Sequence, residues 1–365
     1  MTIKSLELNN YRNYESLKID FCEGTNILYG ENAQGKTNIL EAIYVSSTTK
    51  SHKSTKDKDI ISFNEEEGHI RTYIVKNDDT TKVDIHLRNA KSKGIAINNE
   101  RIRRAADLMG VLNVVFFAPE DLAIIKQGPV ERRRFADMEL CQLDKVYLDS
   151  LNNYNKIVNQ RGKLLRDIPF NPSLADTITV WDEQMVTYGS LIIERRKQFA
   201  NQLNEITRRI HKKLTGFKEE LSIYYEPNTT VFDFADKLSQ SLEKDIRLKQ
   251  TTVGPHRDDF SFFVNGVDIR KFGSQGQQRT AALSLKLSEL ELIKKITNET
   301  PVLLLDDVLS ELDSNRQNFL LNSIGSIQTI ITCTGLDEFV NNRFTIDRIF
   351  RVVDGSAILL DEGMD

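Results

Sequence analysis

The sequence predicts an α/β fold, a mixed sheet plus a parallel core, with a helical domain inserted into it. Three observations predict this. Short alternating strands fill the first third of the chain, two long apolar seams of helical period follow, and buried β-branched runs return near the end. At 365 residues the chain is long enough for about two folded units. Its 39% hydrophobic and 28% charged content is that of an ordinary globular protein. Cys22, Cys141 and Cys333 are odd in number and far apart, so neither a disulfide framework nor a Cys-x-x-Cys zinc site is expected. No run approaches the roughly 18–20 apolar residues of a membrane span, and charges scattered through the N-terminus argue against a signal peptide.

The first proline is Pro119, so everything before it must turn on Gly, Asn and Asp. Strands are expected over 3–8, 17–21, 25–29, 70–75, 82–87 and 94–97, with a hairpin turn at Asn98-Asn99 and a buried strand over 111–117. From 120 to 217 the pattern is helical. One seam runs Leu140, Leu143, Tyr147, Leu151, Tyr154, Val158 and Leu165. A second runs Ile192, Phe199, Leu203, Ile206, Ile210 and Phe217. Asp167-Ile-Pro169-Phe-Asn-Pro172 breaks the helix between them, which predicts a helical hairpin. From 218 to 365 α/β grammar returns, with strands over 221–225, 260–264, 301–305 and 327–332 and a broad-faced helix over 275–297. The expected boundaries are therefore 1–119, 120–217 and 218–365.

Gly30-Glu31-Asn32-Ala33-Gln34-Gly35-Lys36-Thr37 fits G-x4-G-K-[ST] between a strand and a helix, the context in which that pattern cradles phosphates. Backbone N–H groups wrap the anion, Lys36 reaches the terminal phosphates, and the Thr37 hydroxyl can ligate Mg²⁺. Val302-Leu-Leu-Leu-Asp306-Asp307 is a buried strand ending in carboxylates, which places acid at the C-terminal edge of the sheet. Asp306 is expected at the Mg²⁺ shell, and Asp307 to polarise an attacking water. The pair reads as a nucleoside triphosphate site. Asn155-Lys156-Ile157-Val158 lacks the final Asp of a GTPase base reader.

Phe272-Gly273-Ser274-Gln275-Gly276-Gln277 places Ser274 at a helix N-terminus, with N–H groups free to meet an anion. This segment resembles the ABC-ATPase signature in Ser274, Gly276 and Gln277, and Ser310-Glu311-Leu312-Asp313 resembles the same family's D-loop. The resemblance implies an ABC-type P-loop ATPase head, a mixed sheet plus a parallel RecA-like core, in which Ser274 closes on the γ-phosphate held by a second protomer. The strings Asn10-Tyr-Arg12-Asn-Tyr14, Asn38-Ile-Leu-Glu41-Ala42, Pro119-Glu120-Asp121-Leu122, Arg132-Arg133-Arg134-Phe135 and Gly254-Pro255-His256-Arg257-Asp258-Asp259 sharpen it. Over nearly the whole chain the sequence resembles the RecF family, ATPases related to the SMC heads.

That resemblance implies a cytoplasmic DNA repair and replication ATPase using ATP and Mg²⁺. It implies an ATP-dependent homodimer that loads on duplex, gapped or junction DNA and works with RecO and RecR. RecA assembly and the SOS response lie downstream, with weak, DNA-stimulated hydrolysis releasing dimer and DNA. It places Arg12 near the nucleotide and Asp313 in the D-loop. Asp307 stands where most ABC ATPases carry Glu, one methylene longer, which predicts slow hydrolysis. No switch His follows the strand at 327; Thr332 or Thr334 is expected to sense the γ-phosphate, with His256 as the substitute set against a structural or nucleotide-lid role for Gly254–Asp259. Two other readings are an ATP-hydrolysing transporter subunit and the head partner of a nuclease.

The net charge of −4 hides an asymmetry, since residues 121–217 hold 16 Lys and Arg against 12 Asp and Glu. Basic residues cluster at 132–134, 161–166 and 195–197, and Arg208, Arg209, Lys212 and Lys213 recur at helical spacing as a stripe for a DNA backbone. The run Lys50–Lys58 is a second basic surface or a loop near the nucleotide.

Overall fold

In the computed structural model, residues 1–54, 56–325, 327–335 and 346–360 are described. The chain forms two compact units, 1–121 with 289–365, and 122–288. The expected return to the head at 218 is thus moved to 289. The strands and short helices after 217 belong with the helical arm, because the first of those strands packs along the second arm helix.

The first unit holds two sheets. An antiparallel one is ordered β2-β1-β4-β5-β6-β7, from β1 (Thr2–Tyr11), β2 (Tyr14–Asp20), β4 (Glu67–Lys76), β5 (Asp79–Arg88), β6 (Gly94–Ile97) and the two-residue β7 (Glu100–Arg101). Asn98 and Asn99 both take positive φ in the β6–β7 turn, as their short polar side chains allow. The other sheet is ordered β15-β14-β3-β13-β12-β8: β3 (Thr25–Tyr29), β8 (Val114–Phe117), β12 (Val302–Asp306), β13 (Thr329–Cys333), β14 (Arg348–Val353) and β15 (Ser356–Leu360). Five of these strands are parallel, and only β15 runs back, across the Asp354-Gly355 turn. Helix α1 (Lys36–Thr48) lies between the sheets. Ile39, Leu40 and Ile43 join Leu6, Leu8, Ile70, Ile85, Val114, Leu304 and Ile330 in one core. β12 and β13 are buried at every residue, the mark of a strand covered on both faces.

The second unit begins with α2 (Leu122–Lys126), α3 (Pro129–Leu143), α4 (Lys145–Asp167) and α5 (Ile178–Leu214). Asp144 caps α4, its carboxylate accepting from the N–H groups of Val146 and Tyr147. The two predicted seams bury Tyr147, Tyr154, Leu165, Ile192, Phe199, Leu203, Ile206 and Ile210, with α5 packing along α4 and along the strand that follows α5. Phe217, expected to end the second seam, is exposed instead: α5 stops at Leu214 and Phe217 itself has a positive φ. A three-stranded sheet, β11-β10-β9, follows from β9 (Leu221–Glu226), β10 (Asp259–Val264) and β11 (Val267–Asp268). With it are the short α6 (Phe234–Gln240), α7 (Leu242–Leu248) and α8 (Ile269–Phe272). Helix α9 (Gln275–Thr297) starts in this unit, and α10 (Ser314–Ser323) belongs to the first. Among the described residues no helix is long and apolar enough to cross a membrane.

Candidate nucleotide site and signature helix

Parallel pairing places three strand ends side by side. Asp306 of β12 is in register with Thr332 of β13, and Thr332 with Leu28 of β3, immediately before the phosphate loop. The loop needs its glycines for different reasons. At Gly30 (φ 157°) a Cβ would lie 2.4 Å from the Val352 carbonyl oxygen of β14. At Gly35 (φ 108°) it would collide with the Asn13 side chain and the Tyr14 hydroxyl. Ala33 also holds a positive φ, so the loop carries strain where ligand-binding backbone often does.

Asn32, Ala33, Gly35, Lys36, Thr37, Asp306, Asp307 and Thr332 line one cleft of ≈ 380 Å³. The Lys36 ammonium donates to the carbonyls of Gly30 (2.6 Å) and Glu31 (2.8 Å). Burial lowers its pKa, with Asp307, Cys333 and Asp306 pulling the other way. Asp306 is almost fully buried. Its Oδ1 accepts from the hydroxyls of Thr37 and Thr332, both at 2.8 Å. The Thr332 hydroxyl in turn accepts from the Asp307 amide at 3.0 Å. Asp307 has φ 52°, and its carboxylate accepts from Ser310. Gln34 braces the loop: its carbonyl accepts from Asn13, and its side-chain oxygen from the Asp354 amide.

The Thr37 hydroxyl and the Asp306 carboxylate are hard oxygen donors meeting at one point. Magnesium is commonly held through one or two carboxylates with substrate phosphates and water, so this donor set suits it.

Two predicted nucleotide residues have other partners. Arg12 forms a two-pronged ion pair with the fully buried Glu41 of α1 (2.8 and 2.7 Å) and donates to the Asp59 carbonyl. Burial pushes the Glu41 carboxyl up, but bonds from Arg12, Ser51 and Tyr11 outweigh it and the net shift is downward. Arg12 borders a neighbouring cavity of ≈ 540 Å³ with Asn13, Asn38 and Phe63, and Asn38 lines both spaces. Asp313 caps α10, accepting from the Arg316 amide and pairing with its side chain.

Sequence reasoning missed three residues of the cleft. Lys53 has its ammonium 4.0 Å from Asp306 Oδ2, and Pro119 and Glu120 also line the cleft. The basic run at 50–58 was the signal for Lys53, although its register to the sheet edge was not legible.

In the second unit Ser274, Gly276 and Gln277 start α9. Ser274 and Gln277 cap each other: the Ser274 amide donates to Gln277 Oε1 (3.0 Å), and the Gln277 amide to Ser274 Oγ (3.2 Å). Ser274 and Gly276 are exposed, and a Cβ at Gly276 would meet nothing closer than Ser274 Oγ at 3.9 Å. Gln277 Nε2 is held by Glu219 at 2.9 Å.

Gly254–Asp259 is an internal knot of this unit. Asp258 is fully buried and accepts from Arg196, the Asn228 amide and the Tyr225 hydroxyl. His256 bonds the Tyr154 hydroxyl (2.8 Å) and the Thr251 carbonyl (3.1 Å), and burial lowers its pKa to about 4.

The basic clusters are divided. Arg132, Arg161 and Arg196 turn inward to Asp259, to Asp182 and Asp245, and to Asp137 and Asp258. Each of these three guanidinium groups is buried against a carboxylate within the unit. Of the stripe on α5, Arg208 and Lys212 share Glu220, and Arg208, Arg209 and Lys213 are exposed. Over 122–288 the balance is 26 Lys and Arg against 21 Asp and Glu, so the asymmetry survives the moved boundary.

The family model "RecF/RecN/SMC N terminal domain" matches residues 2–356. The chain is 60% identical to the DNA replication and repair protein RecF of Agathobacter rectalis, over 99% of this chain and 100% of that one. It is 59% identical to that of Lachnoclostridium phytofermentans, over 98% and 99%. A solved structure of the recombination mediator protein RecF with ATP, described as part of the RecFOR pathway, superposes with a TM-score of 0.92 at 36% identity, over 98% of this chain and 97% of that one. An Smc head bound to the C-terminal winged-helix domain of ScpA shares the fold at 16% identity and TM-score 0.58, over 99% and 97%.

Proposed function

The chain belongs to the RecF family of SMC-like ATPases, and from that premise we propose that it is an ATP-dependent DNA-binding recombination mediator of the cytoplasm. One observation carries the nucleotide part: the phosphate loop's Thr37 is hydrogen-bonded to the strand-end Asp306, with Lys36 and Asp307 in the same cleft. Triphosphate sits in the loop with Lys36 on its outer phosphates. Thr37 and Asp306 would hold Mg²⁺, which would supply charge neutralisation on the phosphate oxygens. Asp307 orients the attacking water, and Thr332 ties its backbone to Asp306, so a change at one carboxylate is felt at the other. The shorter acid slows turnover. Arg12 acts on the nucleotide by bracing α1 through Glu41, and Asp313 by shaping the D-loop turn.

The exposed N-terminus of α9 meets a nucleotide carried by a second copy of the chain. ATP therefore makes a homodimer, the dimer holds duplex, gapped or junction DNA, and hydrolysis, stimulated by DNA, releases both. RecO and RecR are its partners, and RecA loading in repair, replication restart and the SOS response is the consequence. On α5, Arg208, Arg209, Lys212 and Lys213 contact the DNA backbone, with Glu220 tuning the charge at Arg208 and Lys212.

Sedimentation velocity with and without Mg-ATP, on wild type, K36A and S274A with labelled duplex DNA, tests this reading. ATP should dimerise wild type only, and DNA retention should follow the dimer. A wild-type protein that binds ATP yet stays monomeric and ignores DNA at low salt would overturn it. Reversing Arg209 and Lys213 should weaken DNA binding and flatten its salt dependence by about one unit per lost phosphate contact.

A further inference from the structure

Helix α1 ends in Thr49 (φ 65°), and the chain doubles back without a glycine into the segment carrying Lys53. The Thr48 hydroxyl ties Lys50, His52 packs on Tyr44 and Phe116, and a second hydroxyl holds the turn at Lys53 itself. Ser51 Oγ, in a residue that is 7% exposed, donates to Glu41 Oε1 at 2.5 Å. The same oxygen accepts from the amides of Lys53 (3.0 Å) and Ser54 (2.8 Å). Only a hydroxyl can donate once and accept twice at this size. Glu41 is itself immobile, held by both prongs of Arg12 and by the Tyr11 hydroxyl (3.0 Å). It lies one helical turn beyond Thr37, so the helix that presents Thr37 to Asp306 also carries the anchor for Ser51.

We infer that Ser51, anchored by Glu41, is a positioning residue for the ATPase reaction: it sets the turn that aims Lys53 at Asp306 and the phosphate cleft. The inference rests on the nucleotide reading above. Lys53 is a long, part-exposed side chain whose ammonium stands 4.0 Å from Asp306 Oδ2, the oxygen that Thr37 and Thr332 leave open. Its reach into the cleft depends on where its own Cα is held, and the amide of Lys53 is one of the two that Ser51 captures. Charge spread over a transferring phosphoryl group is stabilised by cations held in place beforehand, so loosening this turn costs rate more than it costs nucleotide binding.

The test is a double-mutant cycle on the full chain with Mg-ATP, reading kcat, ATP Kd and Tm for wild type, S51A, K53A and S51A/K53A. S51T serves as the conservative rescue. S51A should lower kcat about tenfold with ATP Kd changed less than threefold. K53A should do at least as much, the double variant should be no slower than K53A alone, and S51T should restore most of the rate. If S51A does not fold, S51C, of similar size with a weak sulfur donor and acceptor, should show the same pattern. Losses that multiply in the double variant, wild-type kcat in S51A or S51C, or a fall in kcat that merely tracks Tm would overturn the inference and leave the ATPase reading standing. A wild-type protein with no turnover overturns the ATPase reading, and this inference with it.

Discussion

Two helices of this protein begin at the motifs proposed to meet phosphate, and their N-termini are built in opposite ways. Helix α1 starts inside the first unit, at the edge of a parallel sheet, with Lys36 and Asp306 nearly buried and linked through Thr37 and Thr332. Helix α9 starts in the second unit at the exposed Ser274, where Ser274 and Gln277 cap each other and Glu219 holds the Gln277 side-chain amide. The first N-terminus has its cation, its carboxylates and its hydroxyl in place. The second has a cap, exposed backbone and no charge of its own at Ser274 or Gly276. In the proposed head-to-head dimer, each copy would supply the helix N-terminus that the other's phosphate loop lacks.

The comparison breaks most sharply at Lys36. K36A should abolish measurable ATP binding and lower turnover by at least about 100-fold, because it removes a preorganised charge from a desolvated loop. Filter binding and phosphate release would check it, and near-normal turnover would move the phosphates elsewhere. Next comes D307N, which should keep ATP binding and lower hydrolysis by about 10²–10⁴. The ATP-bound dimer should then persist, seen as a slow dissociation rate after nucleotide chase. S274A should leave ATP affinity of the monomer unchanged while cutting turnover about 10- to 100-fold. It also removes a helix cap, worth about 1 kcal/mol, so Tm must be read alongside. Loss of monomer ATP affinity in S274A would contradict the division of labour between the two helices.

The smallest expected effect concerns pH. His256 in the second unit and His52 in the first are both depressed to about 4, chiefly by burial, from an ordinary value of about 6.5. The unfolded chain therefore binds protons that the folded chain refuses. The stability these histidines contribute is whole above about pH 6.5 and is lost as pH falls toward 4, by about 3 kcal/mol per histidine at most. H256Q should flatten that loss for the second unit alone, in urea titrations between pH 7 and 5. It should leave ATP binding untouched, because His256 bonds Tyr154 and Thr251 and not the phosphate cleft. An unchanged pH slope would mean that His256 titrates normally.

Much of the site was legible because it is written locally. The phosphate loop is one uninterrupted string between a strand and a helix, and the Ser-x-x-Gln cap and the acid-ended strand are short patterns of the same kind. The C-terminal hairpin escaped notice although Asp354-Gly355 between apolar runs marks it. It matters to the site, since Val352 closes against Gly30. Lys53 and the Glu41–Ser51 anchor could not be read, because each depends on residues apart in sequence meeting at one sheet edge. The inward turn of Arg132, Arg161 and Arg196 was illegible for the mirror reason. A basic residue looks the same in sequence whether it faces solvent or a carboxylate far along the chain, such as Asp245, Asp258 or Asp259.

By itself the sequence determined the α/β class, the helical insertion, the phosphate loop and the acid that follows it, because local period and backbone demand are carried by neighbouring residues. Only the tertiary structure decided where the second unit ends, which arginines are spent inside it, and which lysine shares the cleft with Lys36. Those outcomes depend on strand register and on the desolvation of charges. Both are settled only when distant segments pack, since a buried charge must find a partner wherever in the chain that partner lies.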